Sequence, residues 1–230
     1  MREAYRRGRI AMTTTDGRSK LRKGGKGVLI PTQALILRFR IELQATNPLV
    51  WRTIEAPGDY TFWDLHVAIQ DAMGWLDYHL HRFTIPHPRT KTPQIFGIHN
   101  LSQDCDDPPS WATQIATMFT LSNPVAQYDY DFGDGWRHMV TLVDVLQRDF
   151  KLRYPRCVDG ARACPPEDCG GVHAFAAIVS GTMDQDMRRW LPRGYDPARF
   201  DSKAVRFDDP ARRLAYSWYG DPDAGDSPHG

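Results

Sequence analysis

The segment TFWDLHVAIQDAMGW, residues 61–75, carries the signals of one complete amphipathic helix. Thr61 can cap the first backbone amides, and Asp64 follows three positions later, as in a capping box. Gly74 can take the left-handed conformation that ends many helices. The apolar residues at helical spacing are Phe62, Leu65, Ile69 and Met73. Together these signals predict a helix over residues 62–73.

Two β-hairpins are predicted around this helix. LRFRIEL (37–43) alternates apolar and charged residues, the period of a strand with one buried face, and LVWRTIEA (49–56) can return beside it. In the second hairpin, AQYDYDF (126–132) and WRHMVTLVDVL (136–146) flank a Gly-Asp-Gly turn at 133–135. The glycines of this turn tolerate the positive φ angles that tight hairpins need.

Shorter elements complete the pattern. LHRFTI (80–85) indicates another strand, and a short strand is expected at 95–98. The segments with helical character are SWATQIATMF (110–119), HAFAAIVSG (173–181) and DQDMRRWL (184–191). Strands and helices do not alternate strictly, so the predicted fold class is α+β. We expect a mixed, largely antiparallel sheet with one main amphipathic helix and short C-terminal helices.

Hydropathy limits where the protein can act. The chain of 230 residues is 41% hydrophobic and 11% aromatic, which is enough to bury one sizeable core. It has no run of about 18 apolar residues, so a membrane span is excluded on hydropathy. The N-terminus also lacks the apolar segment of a secretory signal. We therefore expect a cytoplasmic protein with no membrane partner, in which structural disulfides are disfavoured.

Positive charge is concentrated at the N-terminus. Residues 1–30 hold nine Lys or Arg and two acids, a surplus of seven in a chain whose net charge is +1, so the rest carries −6. The pattern predicts a flexible basic arm over 1–34, a single α+β domain over 35–207 and a loose tail over 208–230. Clustered cations bind phosphate, so nucleic acid is a candidate partner of the arm. The alternative is a leader without a binding role. The candidate contact residues are Arg6, Arg7, Arg9, Arg22, Lys23 and Lys26.

The stretch CVDGARACPPEDCGG (157–171) contains three of the four cysteines of the chain. Their spacing lacks the paired C-x2-C of a zinc finger, but the bend after Cys157 could bring its sulfur and that of Cys164 to one ion. Thiolate and imidazole ligands would suit zinc. The candidate metal ligands are Cys157, Cys164, Cys169 and His138. The alternatives are a buried structural thiol pair and a reactive or disulfide-forming pair, in a corner stiffened by Pro165 and Pro166.

Acidic residues near the cysteines and in the second hairpin turn form another candidate site. The predicted polar pocket, at one end of the sheet, consists of Asp131, Asp134, His138, Glu167 and Asp168. The alternative is structural, since Asp131 and Asp134 can accept hydrogen bonds from backbone amides of the turn. His138 shares one strand face with Trp136 and Val140, a position typical of a hydrogen-bonded core histidine.

Five separated segments carry a family resemblance. They are NPLVWRTIEAPGDYTFWDLHVAIQDAMGW (47–75), HLHRF (79–83), YDYDFGDGWRHMVTL (128–142), YPRCVDGARACPPEDCGG (154–171) and YDPARFDSKAV (195–205). In this order, and above all in the combination of DFGDGW-x-H with ACPPED-x-GG, the chain resembles the plasmid pRiA4b ORF-3-like family. The resemblance implies an association with plasmids and mobile elements, where some members carry a transposon-resolvase label. It implies no defined biochemical activity.

Two functional hypotheses follow from the sequence. The favoured one is a non-catalytic binding or accessory domain associated with a plasmid or mobile element. The alternative is a small metal-dependent enzyme, in which the Cys157/Cys164 loop, His138 and nearby carboxylates act with a zinc or magnesium ion. The enzyme requires these groups to converge within ligand distance around a cleft. The binding protein requires instead an exposed aromatic, apolar or basic patch.

Overall fold

A computed structural model of the chain describes residues 11–15, 18–22, 28–97 and 108–219. In chain order the strands are β1 (Ala11–Thr15), β2 (Arg18–Arg22), β3 (Val28–Pro31), β4 (Leu35–Leu43), β5 (Val50–Pro57), β6 (His81–Pro86), β7 (Pro93–Gly97), β8 (Val125–Tyr130), β9 (Trp136–Gln147) and β10 (Arg156–Ala161). The α-helices are α1 (Phe62–Met73), α2 (Ile115–Met118), α3 (Gly171–Ser180), α4 (Gln185–Trp190) and α5 (Pro210–Tyr219). Within these ranges, no helix has the length and apolar character needed to cross a membrane.

The main sheet contains seven strands in the order β10-β5-β4-β9-β8-β6-β7. Every neighbouring pair in it is antiparallel. In β4 the charged Arg38 and Arg40 alternate with buried apolar residues, so one face of the strand enters the core. α1 buries its apolar residues in the same core. The α+β class predicted from the sequence is confirmed.

Helix α1 begins and ends at the predicted residues. Thr61 Oγ1 accepts a hydrogen bond from Asp64 N at 3.2 Å, and Asp64 Oδ2 accepts one from Thr61 N at 2.8 Å, which makes a reciprocal capping box. Gly74 ends the helix with a φ of 89°. Phe62 in the first turn stacks on Phe96 of β7, with ring centroids 4.1 Å apart, and this contact ties the helix to the sheet.

Regular structure begins earlier in the chain than predicted. Before Leu35, β1, β2 and β3 form a separate three-stranded antiparallel sheet. β1 is rich in threonine and β3 in valine, leucine and isoleucine, most of which favour extended backbone. The predicted flexible arm rests instead on the Gly, Ser and Arg content of the segment. The described part of 1–34 therefore contains paired strands, while the domain boundary at residue 34 stays a prediction.

The tail predicted to be loose also differs from the structure. α5, Pro210–Tyr219, lies against α1. Arg213 donates a hydrogen bond to Asp71 Oδ1 at 2.7 Å, and Trp63 Nε1 donates one to Pro210 O at 2.8 Å. Asp, Pro and Gly residues on both sides of the helix give the segment a turn-rich composition, which is why its sequence predicts a tail. Its partner on α1 is visible only in the folded chain.

The cysteine-rich stretch begins as a strand rather than a loop. β10 pairs with β5 at the edge of the sheet, with a bulge between Cys157 and Asp159. Further along β10, Gly160 packs against Phe200, where an added Cβ would lie 2.4 Å from the ring. The stretch is therefore fixed both to the sheet and to the C-terminal segment.

Candidate functional site

Three segments that are distant in sequence meet near the C-terminal end of α1. They are the loop at 76–80, the β8–β9 turn at 131–135 and the segment 163–171, and together they are termed the corner. Trp75 Nε1, two residues after α1, donates a hydrogen bond to Pro165 O at 2.8 Å. The corner contains parts of three segments on which the family resemblance rests. The resemblance therefore points to one place in the fold.

Acidic side chains hold the segments of the corner together through hydrogen bonds. Glu167 Oε1 accepts a hydrogen bond from Tyr130 OH at 3.0 Å. Asp134 Oδ2 accepts one from Gly170 N at 3.0 Å. Gly171 has a φ of 78°, and a Cβ at this position would lie 2.7 Å from Asp134 O. Only glycine allows the 163–171 segment to approach the turn so closely.

Asp131 caps the β8–β9 turn, as the structural alternative expects. Its Oδ1 accepts hydrogen bonds from Gly133 N at 2.9 Å and from Asp134 N at 3.2 Å. Its side chain is buried, with an exposed fraction of 7%. The second carboxylate oxygen, Oδ2, is directed away from these amides and lies 3.6 Å from Nε2 of His79.

His79 joins two members of the predicted pocket. Its Nε2 lies 2.9 Å from Asp168 Oδ1, on the other side from Asp131. The ligand atoms of these three side chains lie within 4.8 Å of one another. Among the described residues, they form a group of His and Asp side chains that could hold a metal ion. His79 is missing from the sequence-predicted pocket because its partners are remote in sequence. The sequence signal that could have pointed to His79 is its position in the HLHRF segment, between α1 and β6.

His138 lies in the core and not with the acids of the pocket. It is 1% exposed, its Nδ1 lies 3.2 Å from Tyr128 O, and its ring meets the edge of Trp75. Burial lowers the pKa of His138 to about 4, so the ring is neutral at pH 7. The arrangement corresponds to the alternative of a hydrogen-bonded core histidine.

The three thiols of the cysteine-rich stretch are free. Burial raises the pKa of Cys157 to about 11 and that of Cys169 to about 12, and it also raises the pKa of Cys164. Nucleophilic attack requires the thiolate, whereas these groups are protonated at pH 7 in the metal-free chain. Within the described ranges, the thiols and His138 do not assemble as a ligand group. The arrangement corresponds to the alternative of structural thiols, and a metal site at these residues stays a prediction.

A cleft of about 740 Å³ opens beside the corner. It lies between the C-terminal end of α1, the segment 163–167 and the segment 192–206. Its volume is in the range of pockets that enclose small molecules. The apolar lining residues include Met73, Leu76, Pro165, Pro166, Phe200 and Val205.

Arg52 stands in the wall of this cleft and is 1% exposed. Its Nε donates to Ala72 O at 2.8 Å, and its Nη1 donates to Trp51 O at 2.8 Å and to Ala161 O at 3.0 Å. The ring of Phe200 lies 3.7 Å from the guanidinium carbon. Burial lowers the pKa of Arg52, yet a guanidinium stays protonated at pH 7. Among the described residues, the partners of this cation are carbonyls and a ring, with no carboxylate.

Another polar network lies inside the core. His66 of α1 and His81 of β6 stack with ring centroids 3.5 Å apart. His66 hydrogen-bonds Tyr128 OH and Asp77 Oδ1, each at 2.8 Å, while neither ring nitrogen of His81 has a partner in the described chain. Burial lowers the pKa of both histidines, so they are neutral at pH 7. No pattern in the sequence predicts this pair.

Most of the basic residues predicted to contact nucleic acid lie outside the described residues. These are Arg6, Arg7, Arg9, Lys23 and Lys26. Arg22 lies in β2. Nucleic-acid contact through the N-terminal segment therefore stays a prediction.

Known proteins are similar to this chain in sequence, and a solved structure is also similar to it in fold. The family model described as plasmid pRiA4b ORF-3-like protein matches residues 35–204. The uncharacterised protein y4hQ of Sinorhizobium fredii is 29% identical over 157 residues, which cover 66% of this chain and 75% of that protein. The crystal structure of MM3350, a protein of unknown function from Methanosarcina mazei Go1, superposes on this chain with a TM-score of 0.70. The two sequences are 36% identical, and the match covers 75% of this chain and 97% of MM3350. The chain belongs to the plasmid pRiA4b ORF-3-like family.

Proposed function

We propose that the protein is a non-catalytic binding protein whose cleft takes a small molecule with an apolar body and a carboxylate group. The observation that carries the proposal is Arg52, a nearly buried cation in the wall of an apolar cleft. Its described partners include no carboxylate. A carboxylate near a guanidinium in such surroundings gains a charge-assisted hydrogen bond that is stronger than a neutral one.

The same structure gives little support to an enzyme built on the cysteine loop. Such an enzyme needs Cys157, Cys164, His138 and an acid to meet around the cleft. His138 is 1% exposed in the core, and within the described ranges it does not assemble with the thiols as a ligand group. We therefore retain binding, and not metal-dependent catalysis on these residues, as the proposed function.

The test is titration calorimetry of the full chain with octanoate and with octylammonium, which have the same apolar chain and opposite charges. Octanoate is expected to bind at least tenfold more tightly. Leu76 lines the cleft and is 62% exposed, so Leu76→Asp places an anion at the rim without disturbing the core. This variant is expected to weaken octanoate binding at least fivefold.

Leu152→Asp is the matched control, because Leu152 is exposed and does not line the cleft. It should bind octanoate as the unaltered chain does. Equal binding of the two amphiphiles would overturn the role of Arg52. Absence of octanoate binding, or equal loss in both variants, would overturn the cleft as the binding site.

The proposal also covers the setting in which the protein acts. Its family membership supports an accessory role linked to plasmids or mobile elements, and its three free thiols suit the reducing cytoplasm. Contact with nucleic acid would involve the cations of residues 1–30. Deletion of residues 1–30 should then abolish retention on a DNA column at low salt, and unchanged retention would remove this segment from the proposal.

A further inference from the structure

The geometry points to a divalent transition-metal site formed by His79, Asp131 and Asp168. Its three side chains are neither the thiols nor residues that line the carboxylate-binding cleft, so it does not depend on the proposed function. One imidazole nitrogen and two carboxylate oxygens are brought within 4.8 Å of one another from three different segments. A site of this composition suits Zn²⁺ or Mn²⁺ better than Mg²⁺ or Ca²⁺, which favour oxygen ligands alone.

The distances fit a shared ion. Two ligands at zinc-bond lengths of about 2.1 Å on a tetrahedral ion are separated by roughly 3.4 Å. The separations in the structure, 2.9 Å from His79 Nε2 to Asp168 Oδ1 and 3.6 Å to Asp131 Oδ2, lie on either side of this value. Small side-chain rotations would therefore bring all three atoms into the coordination sphere.

Asp131 places a carboxylate oxygen at the site. Its side chain is more than nine-tenths buried, and Oδ1 is occupied by two backbone amides of the turn. Oδ2 forms an ion-pair contact with Nε2 of His79 at 3.6 Å, which is longer than a hydrogen bond. A bound cation would give this carboxylate a closer positive partner.

Glu167 adds an uncompensated oxygen beside the site. It precedes Asp168, and its Oε1 accepts hydrogen bonds from Tyr130 OH and Leu76 N. Its Oε2 is buried and has no partner among the described residues. His79 and Asp168 both influence the pKa of Glu167, which shows that the three groups are neighbours. A cation at the site would lie close to four acidic or imidazole side chains.

Solvent can reach the site from one side. The exposed fractions are 30% for the His79 side chain and 61% for that of Asp168, whereas Asp131 forms the buried floor. Three protein ligands leave at least one coordination position for water. Tyr78 N donates to Tyr130 OH at 3.1 Å, so the loop that carries His79 is itself fixed to the sheet.

The test is titration calorimetry of the full chain with Zn²⁺ at pH 7.5 after treatment with a chelator. One Zn²⁺ per chain is expected. His79→Ala and Asp168→Asn should each lower the affinity at least tenfold. Asp168 has a φ of 53°, a conformation that asparagine also accepts, so Asp168→Asn removes the charge and preserves the backbone.

Two control variants separate this site from other zinc ligands. His173 is exposed on α3, and His173→Ala should bind Zn²⁺ as the unaltered chain does. Cys157→Ser should also leave the affinity unchanged. The thermal midpoints of the metal-free variants should match that of the unaltered chain within a few degrees.

Three results would overturn the site. They are absence of stoichiometric Zn²⁺ binding, equal affinity in Asp168→Asn and the unaltered chain, and loss of binding in Cys157→Ser. Titration with Mg²⁺ is expected to give at least hundredfold weaker binding. Equal affinity for the two ions would contradict a ligand set that includes an imidazole.

Discussion

The two ends of helix α1 are built in different ways. At the N-terminal end, Thr61 and Asp64 cap each other across one turn. At the C-terminal end, Ala72 O accepts a hydrogen bond from Arg52 on β5, and Arg213 of α5 approaches the last turn from the far end of the chain. Both ends have remote backbone or side-chain partners, since Phe62 N and Trp63 N donate to Thr113 O and Ser110 O. The N-terminal end adds a capping box made by its own side chains, whereas the charged side chains at the C-terminal end come from distant segments.

This difference explains where the candidate sites lie. At the N-terminal end the capping box and the carbonyls of Ser110 and Thr113 satisfy the first amides of the helix, which leaves little for a ligand to complete. The C-terminal end adjoins both the cleft and the corner, where Arg52 has no described carboxylate partner and Asp131 Oδ2 faces His79 at 3.6 Å. Mutations at the two ends should therefore destabilise the protein by different amounts.

Arg52→Met should have the largest effect on stability. The change leaves the carbonyls of Trp51, Ala72 and Ala161 without this donor in a buried place, and should lower the free energy of unfolding by about 4 kcal/mol. Arg40→Met is the control, since Arg40 is partly exposed and pairs with Glu42 on its own strand. Urea unfolding measures both. Equal effects would show that the C-terminal end does not depend on Arg52.

Acid should weaken the same end through His138, which packs on Trp75. Its pKa is about 4 in the folded chain and about 6.5 in an unfolded one. Between these values the unfolded chain binds a proton that the folded chain does not. The contribution is therefore fully retained above pH 6.5, and about 3 kcal/mol is lost as the pH falls to 4.

His138→Phe tests this pH dependence. The variant should lose correspondingly less stability between pH 6.5 and pH 4, because one of the titrating groups is gone. Urea unfolding at several pH values gives the slope. An unchanged slope would mean that His138 takes up its proton without unfolding.

Arg213→Ala should detach α5 from α1. Asp71 would lose a partner at 2.7 Å in a side chain that is only 6% exposed, at a cost of about 2 kcal/mol. Arg199→Ala is the control, because Arg199 is 85% exposed and lies 3.7 Å from Asp196. Hydrogen exchange of the α5 amides should rise in Arg213→Ala and stay constant in the control. Equal exchange in both would contradict the docking role of Arg213.

Thr61→Ala should have the smallest effect, about 1 kcal/mol, because it removes one cap and leaves the rest of α1 packed. Thr61→Ser keeps the hydroxyl and should remain near the value of the unaltered chain. Thermal unfolding of the pair measures the difference. A loss in Thr61→Ser as large as that in Thr61→Ala would assign the effect to the threonine methyl group and not to the cap.

The same contrast separates what the sequence predicts from what it does not. The bounds of α1 and the two hairpins follow from signals within a few residues, such as Thr61, Asp64 and the alternation in β4. β10 and α5 are not predicted, because each takes its form from a distant partner, β5 or α1. The ligand atoms of Asp131 and Asp168, both members of the predicted pocket, lie within 4.8 Å of each other, but His79 comes from the HLHRF segment and no spacing pattern links it to them.

Gly171 has a consequence for exchange of parts between relatives. A side chain at this position would collide with Asp134 O at 2.7 Å, so the β8–β9 turn and the 163–171 segment fit only as a matched pair. Consider a chimera that combines the turn of one homologue with a 163–171 segment from another that lacks this glycine. In such a chimera the segment should not pack against the turn. Recombination that preserves the fold must then transfer the β8–β9 turn and the 163–171 segment together.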